Sequence, residues 1–326
     1  MAACFAAELD YAVFLGGLAF LFMAGVAQTL RRQPDQRLPW SWLALFGFSH
    51  GLYEWLDMLA ASLADSLAFK LAGLALMAAS FAALLEFGRR GFQRAGRPAL
   101  NRWIYLPLLA VLALGAFSGE TSGLEAACRY GLGLPGALLA GLALGQASRS
   151  SGRGQRTGLR WAALALLAYA PAAGLVVPEA AFFPASWLNH EAFAAATGFS
   201  IHVVRMLCAL AAMTGVRLCS RGRESPTERP GLVRRWLFAG AFVLLAAVGW
   251  IAADWCGGSV DVQIQQDAPG RAGAIARGTA WASEDDSEDS SAAWKTRRFQ
   301  RLQTAFAILL VTVLVTAFLV RQSSDR

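Results

Sequence analysis

The sequence predicts an all-α protein that crosses a membrane several times. Of its 326 residues, 56% are hydrophobic and only 16% are charged, and the mean hydropathy is +0.44. A soluble chain of this length carries more charge, because its surface has to be solvated. The hydrophobic residues are also concentrated in long uncharged stretches, and the arginines follow every second stretch. Composition, stretch length and charge distribution therefore indicate the same fold class.

The uncharged stretches have the length of membrane-spanning helices. No charged residue lies between Asp10 and Arg31, or between Arg160 and Glu179. A hydrocarbon core about 30 Å thick is crossed by about 20 helical residues, so each stretch accounts for one span. The sequence predicts nine spans, at about 9–30, 40–60, 66–87, 103–118, 124–147, 159–177, 192–216, 234–254 and 302–320.

The arginines predict how these spans are oriented. The net charge of +7 could indicate a nucleic-acid-binding protein, but most of the basic residues lie in the connections that follow the first, third, fifth and seventh spans. The other connections are acidic or neutral. This positive-inside pattern places the N-terminus outside and the C-terminus in the cytoplasm. We therefore expect a bacterial inner-membrane protein in contact with lipid, and no nucleic-acid partner.

Short connections divide the chain into a bundle and a trailing pair of helices. Residues 1–220 are expected to form a seven-helix bundle, followed by a basic cytoplasmic linker at 221–235. The pair at 236–254 and 302–320 flanks an outer loop, 257–300, which contains the acidic stretch ASEDDSEDSSAA. That composition is typical of disorder. Residues 321–326 are expected to be a short cytoplasmic tail.

Seven ionisable residues inside the predicted spans are the candidate functional residues. Each costs roughly 2.5–3.5 kcal/mol at the centre of a bilayer unless it is paired, so such residues indicate a polar site. The first three are spaced four and three apart, which places them on one face of the second span. The seven are His50, Glu54, Asp57, Lys70, Arg129, His202 and Arg205.

Depth in the membrane predicts how these groups pair. At about 1.5 Å per helical residue, Lys70 lies at the depth of Asp57, so we expect an ion pair between them. Glu54 is expected to pair with Arg129, which lies at the same depth, or with Arg205. Such pairs either fix helix register only, or surround a polar chamber that binds a small ligand or ion, or senses protonation. The sequence leaves both interpretations open.

His50 and His202 raise a further alternative. They lie at similar depths on different spans, as the two axial ligands of a haem do. A haem or metal site is therefore a second interpretation of these residues, although no cofactor is predicted on the sequence as a whole.

Two other features are expected to be structural. Glu86 precedes Arg89 and Arg90 near the inner boundary, so we expect a pair of charged groups at the membrane surface. The segment PEAAFFPASWLNHEAF, between the sixth and seventh spans, is rich in aromatic residues. Aromatic residues anchor chains at the membrane interface, so this segment is expected to lie along the outer surface.

Five stretches occur in a recognisable order: FGFSHGLYEWLDMLA, SFAALLEFGRR, CRYGLGLPGALLAGLAL, GLVVPEAAFFPASWLN and IHVVRMLCAL. They resemble the N-terminal membrane-embedded sensory region of certain bacterial sensor histidine kinases and diguanylate cyclases, over about residues 10–256. In that family a multi-span bundle precedes a helix pair around an outer sensor domain, and PAS, kinase or GGDEF modules follow. The residues that match the family's recurring pattern are His50, Gly51, Glu54, Trp55, Asp57, Glu86, Phe87, Gly88, Arg89, Arg129, Pro184 and Arg205.

The chain departs from this family in two respects. The loop 257–300 is too short for the outer sensor domain, and the sequence contains no kinase, cyclase or hydrolase motif. The resemblance therefore implies a non-enzymatic sensory module that acts through a cytoplasmic kinase or cyclase, in two-component or cyclic-di-GMP signalling. Sensors of this kind are often homodimers. The alternatives are a transporter or channel that uses the polar cluster as a substrate path, and a haem-binding or redox subunit.

Overall fold

The computed structural model describes residues 2–32, 38–63, 67–96, 102–117 and 121–221, with short helical pieces within 240–249. Every regular element in these residues is helical, which confirms the all-α fold class. Four of the helices are long and apolar enough to cross a membrane, as expected for a membrane protein. The linker beyond Arg221, the loop 257–300, the ninth span and most of the eighth lie outside the described residues.

Nine α-helices make up the described bundle. They are α1 (Ala2–Arg31), α2 (Trp40–Leu63), α3 (Leu67–Arg94), α4 (Tyr105–Ala116), α5 (Thr121–Cys128), α6 (Leu134–Arg149), α7 (Arg153–Gly174), α8 (His190–Thr197) and α9 (Ile201–Arg221). A 3-10 turn, Arg102–Ile104, precedes α4, and a π-helical turn, Arg129–Gly133, joins α5 to α6. The four long apolar helices are Tyr11–Arg31, Leu67–Arg94, Thr121–Arg149 and Ile201–Arg221.

Helices occupy the first six predicted segments, but the seventh differs from the prediction. The expected helix at 192–216 is two helices, α8 and α9. The chain turns between them at Gly198, whose φ of +80° lies in the left-handed region that favours glycine. A glycine in this conformation ends a helix, so α8 stops and α9 begins afresh at Ile201.

The chain divides into two compact units. Residues 12–57 and 66–231 form the larger unit, which contains the whole candidate site. Residues 1–11, 58–65 and 232–326 form the other. Within that second unit, the hydroxyl of Tyr11 donates a hydrogen bond to the carbonyl of Ala246 at 3.3 Å.

Glycines allow helices of the larger unit to pack with their backbones in contact. At Gly47 of α2, a Cβ atom would lie 2.6 Å from the carbonyl oxygen of Phe20 on α1. At Gly88 of α3, it would lie 2.6 Å from the backbone of Leu139 on α6. α6 also packs against α7, and α7 against α9. Such close approach through small residues is the usual basis of helix association in membranes.

The α3–α6 contact predicts a difference between two glycines of the same helix. Gly88→Ala is expected to lower the midpoint of thermal unfolding in detergent, because the new methyl overlaps the α6 backbone, and overpacking costs about 1–3 kcal/mol. Gly73→Ala is the control, since nothing lies within 4 Å of its new methyl. We expect Gly73→Ala to leave the midpoint unchanged or raise it slightly. Equal midpoints for the two variants would contradict this packing.

Candidate functional site

His50 and Glu54 lie side by side on α2, inside the larger unit. His50 is 0% exposed and Glu54 is 7% exposed. The Nε2 atom of His50 lies 3.5 Å from Oε1 of Glu54, as the spacing of four residues along a helix allows. Asp57 lies further along α2 and is exposed. The interior polar pair on this helix is therefore formed by its histidine and its glutamate.

Hydrogen bonds join His50 to two other helices. Its Nδ1 lies 2.9 Å from the hydroxyl oxygen of Ser80 on α3. Its Nε2 lies 2.7 Å from the hydroxyl oxygen of Tyr169 on α7. The Ser80 hydroxyl in turn donates a hydrogen bond to the Met77 carbonyl at 2.7 Å. A single imidazole thus connects α2, α3 and α7.

Five aromatic rings surround the imidazole of His50 and form what we call the aromatic cage. Their centroids lie between 4.9 and 6.1 Å from that of the imidazole. Aromatic pairs at these separations add stabilisation beyond the area they bury. The cage fixes the orientation of the ring and accounts for its complete burial. Its members are Phe20, Phe46, Tyr53, Phe81 and Tyr169.

Arg129 is the first residue of the π-helical turn and is 3% exposed. Its Nη2 lies 2.8 Å from Oε1 of Glu125, one turn earlier on the same continuous helix. It also donates hydrogen bonds to the Tyr53 hydroxyl at 3.2 Å and the Ala173 carbonyl at 3.4 Å. The predicted pair of Arg129 with Glu54 is therefore wrong: its ionic partner is Glu125.

Arg205 of α9 binds the C-terminal end of α7 instead of a carboxylate. It donates to the Ala172 carbonyl at 2.9 Å and, two residues beyond the helix, to the Val176 carbonyl at 2.6 Å. The last carbonyls of a helix have no partner within it, and a positive charge is favourable at this end. The alternative pair of Glu54 with Arg205 is therefore also corrected, because backbone carbonyls take the place of the carboxylate.

The predicted pair of Asp57 with Lys70 stays a prediction. Both side chains are exposed. Lys70 lies at a matching depth, but depth does not specify on which side of α3 its side chain lies.

The other two histidines lie together beside Arg205. The rings of His190 and His202 are 5.4 Å apart, edge to face. Nη2 of Arg205 lies 3.2 Å from Nε2 of His190. Because a guanidinium can only donate, Nε2 of His190 is the acceptor and the ring is neutral. Burial and the Arg205 guanidinium lower the pKa of His190 to about 2.

The surroundings of the histidines argue against the haem alternative. Both ring nitrogens of His50 already take part in hydrogen bonds, so the hydroxyls of Ser80 and Tyr169 stand where a haem iron would bind. The ring of His202 packs against His190. Among the residues that the structure describes, no group of three or more His, Cys, Asp and Glu side chains could hold a metal ion.

Several residues of the cluster were missed by the sequence reasoning. Glu125 had a clear signal, because it precedes Arg129 by four residues, the spacing of a helical ion pair. The tyrosines had a weak one: the chain has only 5, and a phenol inside an apolar helix needs a partner for its hydroxyl. Ser80 and His190 had no distinguishing signal. The missed residues are Tyr53, Ser80, Glu125, Tyr169 and His190.

Glu86 pairs with Arg89 and Arg90, as the sequence predicts, but it belongs to a second buried cluster instead of the membrane surface. It is 7% exposed, and Arg89 is 4% exposed. Arg89 donates two hydrogen bonds to its carboxylate, at 2.6 and 2.7 Å, and the hydroxyl of Tyr105 on α4 donates one at 2.8 Å. Arg90 donates another and lies over the ring of Trp42 on α2. These donors join α3 to α4 and α2, which explains the burial.

The segment between α7 and α8 packs onto the bundle in addition to presenting aromatic side chains. Val177 and Ala185 are fully buried and belong to one hydrophobic cluster with Ala126 of α5. Phe183 and Trp187 are 78% and 73% exposed. Exposed aromatic rings beside a packed segment suit the interfacial anchor that was expected here.

Comparison with known proteins yields no identification. No protein-family model matches the chain, and no match was found among curated proteins or solved structures. The resemblance to sensory membrane regions therefore stays a prediction.

The burial of neutral His190 predicts a pH dependence of stability. Its pKa is about 2 in the folded chain, against an ordinary value of 6.5, so below about pH 6.5 the unfolded state binds more protons. The stabilisation present at neutral pH is lost progressively as the pH falls through this window. His190→Gln keeps an acceptor for Arg205 but does not titrate. We expect the thermal midpoint of the wild type to fall more than that of His190→Gln between about pH 7 and pH 4; parallel profiles would contradict the assignment.

Proposed function

We propose that this chain is a sensory module of the bacterial inner membrane that passes a signal to a cytoplasmic kinase or cyclase and has no catalytic output of its own. The observation that carries the proposal is the buried polar cluster around His50 and Glu54. Through His50 it connects α2 to α3 and α7. A ligand or proton that binds such a cluster changes the contacts between helices. Changes of this kind are how ligand and protonation switches act on a protein.

The arginine cluster supports the same proposal. Arg129 and Arg205 bind carbonyls at the end of α7 from two different helices. The polar cluster and this helix end share Tyr53, whose hydroxyl accepts a hydrogen bond from Arg129 and whose ring packs on His50. Packed side chains therefore connect His50 to the end of α7 and to the helices whose arginines bind there.

The proposed arrangement in the membrane is nine spans with the N-terminus outside and the C-terminus in the cytoplasm. It rests on the alternation of arginine-rich connections and on the four long apolar helices. The seven-helix bundle and the trailing helix pair belong to the proposal through the lengths of the connections. The homodimeric state belongs to it through the family resemblance. The partner is proposed on the same ground.

A transporter or channel is the second candidate function. The observation that favours it is the π-helical turn that begins at the buried Arg129, because π-turns are frequent at functional sites and transporters bind substrates at helix irregularities. Against it, Arg129 and Arg205 already bind the carbonyls of α7 that a substrate ion would use. Flux measurements separate the two candidates.

Single-cysteine labelling tests the proposed orientation. In a variant without the native cysteines, a cysteine at Gln33 is expected to react with a membrane-impermeant maleimide only after the cytoplasmic side is opened. A cysteine at Ser118 is expected to react in intact spheroplasts, because it lies after an even number of predicted spans. A cysteine at the buried Leu18 is the unreactive control. Labelling of the cysteines at Gln33 and at Ser118 from the same side of the membrane would contradict the arrangement.

Cross-linking in native membranes tests the signalling role. We expect the intact protein to be recovered with a histidine kinase or a diguanylate cyclase. Glu54→Gln is expected to change the phosphorylation or cyclic-di-GMP output several-fold, because it removes the charge at the centre of the cluster. Glu179→Gln, the same substitution at an exposed carboxylate, is expected to leave the output unchanged.

Two results would reject the signalling role. One is the absence of any kinase or cyclase together with an unchanged output in Glu54→Gln. The other is a solute or ion flux in proteoliposomes that is present in the wild type and lost in Glu54→Gln, which would establish the transporter instead.

A further inference from the structure

The contacts of Ser80 determine which nitrogen of His50 always carries a proton. The Ser80 hydroxyl oxygen lies 2.7 Å from the Met77 carbonyl oxygen, and two oxygens approach this closely only with a hydrogen between them. A hydroxyl has one hydrogen, so Ser80 can only accept from Nδ1 of His50, which is 2.9 Å away. Nδ1 is therefore protonated, and Nε2 is the nitrogen that titrates.

Nε2 of His50 faces two oxygens of different chemistry. The hydroxyl of Tyr169 on α7 lies at 2.7 Å, and Oε1 of Glu54, on the same helix as His50, lies at 3.5 Å. A neutral imidazole accepts a hydrogen bond from Tyr169 and has nothing to donate to Glu54. A protonated imidazole donates from Nε2, and an ionised carboxylate is a stronger acceptor than a phenol.

We propose that His50 and Glu54 form a proton-operated switch, in which Nε2 of His50 exchanges its hydrogen bond with Tyr169 for an ion pair with Glu54. The pair takes up one proton from solvent. Glu54 receives it, because 10% of its side chain is exposed whereas the side chain of His50 is fully enclosed. The carboxyl O–H bond then breaks as the Nε2–H bond forms, which leaves a carboxylate beside an imidazolium. No other reactant is required.

Charged and titratable groups face this pair from four elements of the larger unit. The guanidinium groups of Arg129 and Arg205 oppose a positive charge on the imidazole of His50, and the adjacent carboxylate of Glu54 favours it. From α1 and α3, the rings of Phe20 and Phe81 and the Ser80 hydroxyl contact His50. The proton-binding unit is therefore the pair and not the histidine alone. The facing groups are Tyr53 and Asp57 on α2, Arg129 in the π-helical turn, Tyr169 on α7, and His202 and Arg205 on α9.

The exchange changes which helices are joined. The bond with Tyr169 connects α2 to α7, whereas the ion pair with Glu54 lies within α2. Loss of the first bond removes one restraint between α2 and α7, and α7 packs along α9. The inference rests on the proposed function in one respect only: it names the proton as the stimulus of the sensory module. The exchange at Nε2 takes place whether or not a partner protein receives a signal.

Nitrogen NMR of the full-length protein in lipid nanodiscs, labelled with nitrogen-15 in the imidazole rings, tests the switch. The chain has 3 histidines, and the signals of His50 are those lost in His50→Gln. At about pH 8 we expect Nδ1 to carry the proton and Nε2 to be bare. Acidification is expected to convert the ring to the imidazolium at a midpoint that the variants shift.

The two partners of Nε2 are expected to shift this midpoint in opposite directions. Glu54→Gln removes the compensating charge and is expected to lower the midpoint by about one pH unit or more. Tyr169→Phe removes the hydrogen bond that favours the neutral ring and is expected to raise it. Glu179→Gln, at an exposed carboxylate, is the matched control and is expected to leave it unchanged. A general loosening of the bundle would instead shift the midpoints of Glu54→Gln and Tyr169→Phe in the same direction.

Three results would overturn the switch: shifts in the same direction, a bare Nδ1 at about pH 8, or an unchanged midpoint in Glu54→Gln. Should Tyr169→Phe not fold, Ser80→Ala gives a second test. It removes the acceptor for Nδ1–H, so the neutral ring is expected to change tautomer, and retention of the Nδ1 proton would also count against the assignment. Since this measurement involves no partner, failure of the switch rejects only the proton as stimulus, and failure of the cross-linking test rejects only the signalling role.

Discussion

Buried arginine side chains donate hydrogen bonds to the backbone carbonyls at the end of α7, and much of the bundle depends on these bonds. A guanidinium carries five N–H donors, and the last carbonyls of a helix have no partner within it. Neither can be left unpaired away from water without a large cost in free energy. Arg205 bonds to the carbonyls of Ala172 and Val176, and Arg129 to that of Ala173. Because the two arginines come from different helices, the end of α7 positions both of those helices.

Among the described residues of the larger unit, the buried carboxylates of Glu54 and Glu86 differ in the donors that surround them. Glu86 receives donors from Arg89, Arg90 and Tyr105, so its charge is fully compensated and it acts as a rigid connection between helices. Glu54 lies near arginines that are already bound elsewhere, and the basic group beside it is His50. A histidine can lose or gain a proton near neutral pH, whereas a guanidinium cannot. Of the two carboxylates, Glu54 therefore has the partner that can respond to its surroundings.

Sequence reasoning located the helices but not their contacts. An uncharged stretch of bilayer length has few structural alternatives, so the first six predicted segments coincide with helices. Ion pairing depends also on rotation about each helix axis, which depth along the axis does not contain; Asp57 and Lys70 were matched by depth alone. The partners of Arg205 are backbone carbonyls, which every residue possesses. The break at Gly198 could have been predicted from the conformational preference of glycine. The pair of Glu125 with Arg129 could have been predicted from its spacing of four residues along a helix.

The polar cluster around His50 is enclosed, and this favours a proton over a larger solute as its stimulus. A substrate path requires polar groups that can exchange their partners for a solute, yet Arg129 and Arg205 are bound to backbone and the imidazole of His50 is enclosed by five aromatic rings. A proton requires no such opening, since it moves along hydrogen bonds between atoms already in place. The bonds of Nε2 lead to Glu54 on one side and to α7 on the other. The same atoms that exclude a larger ligand therefore carry the effect of a proton to the helix that both arginines hold.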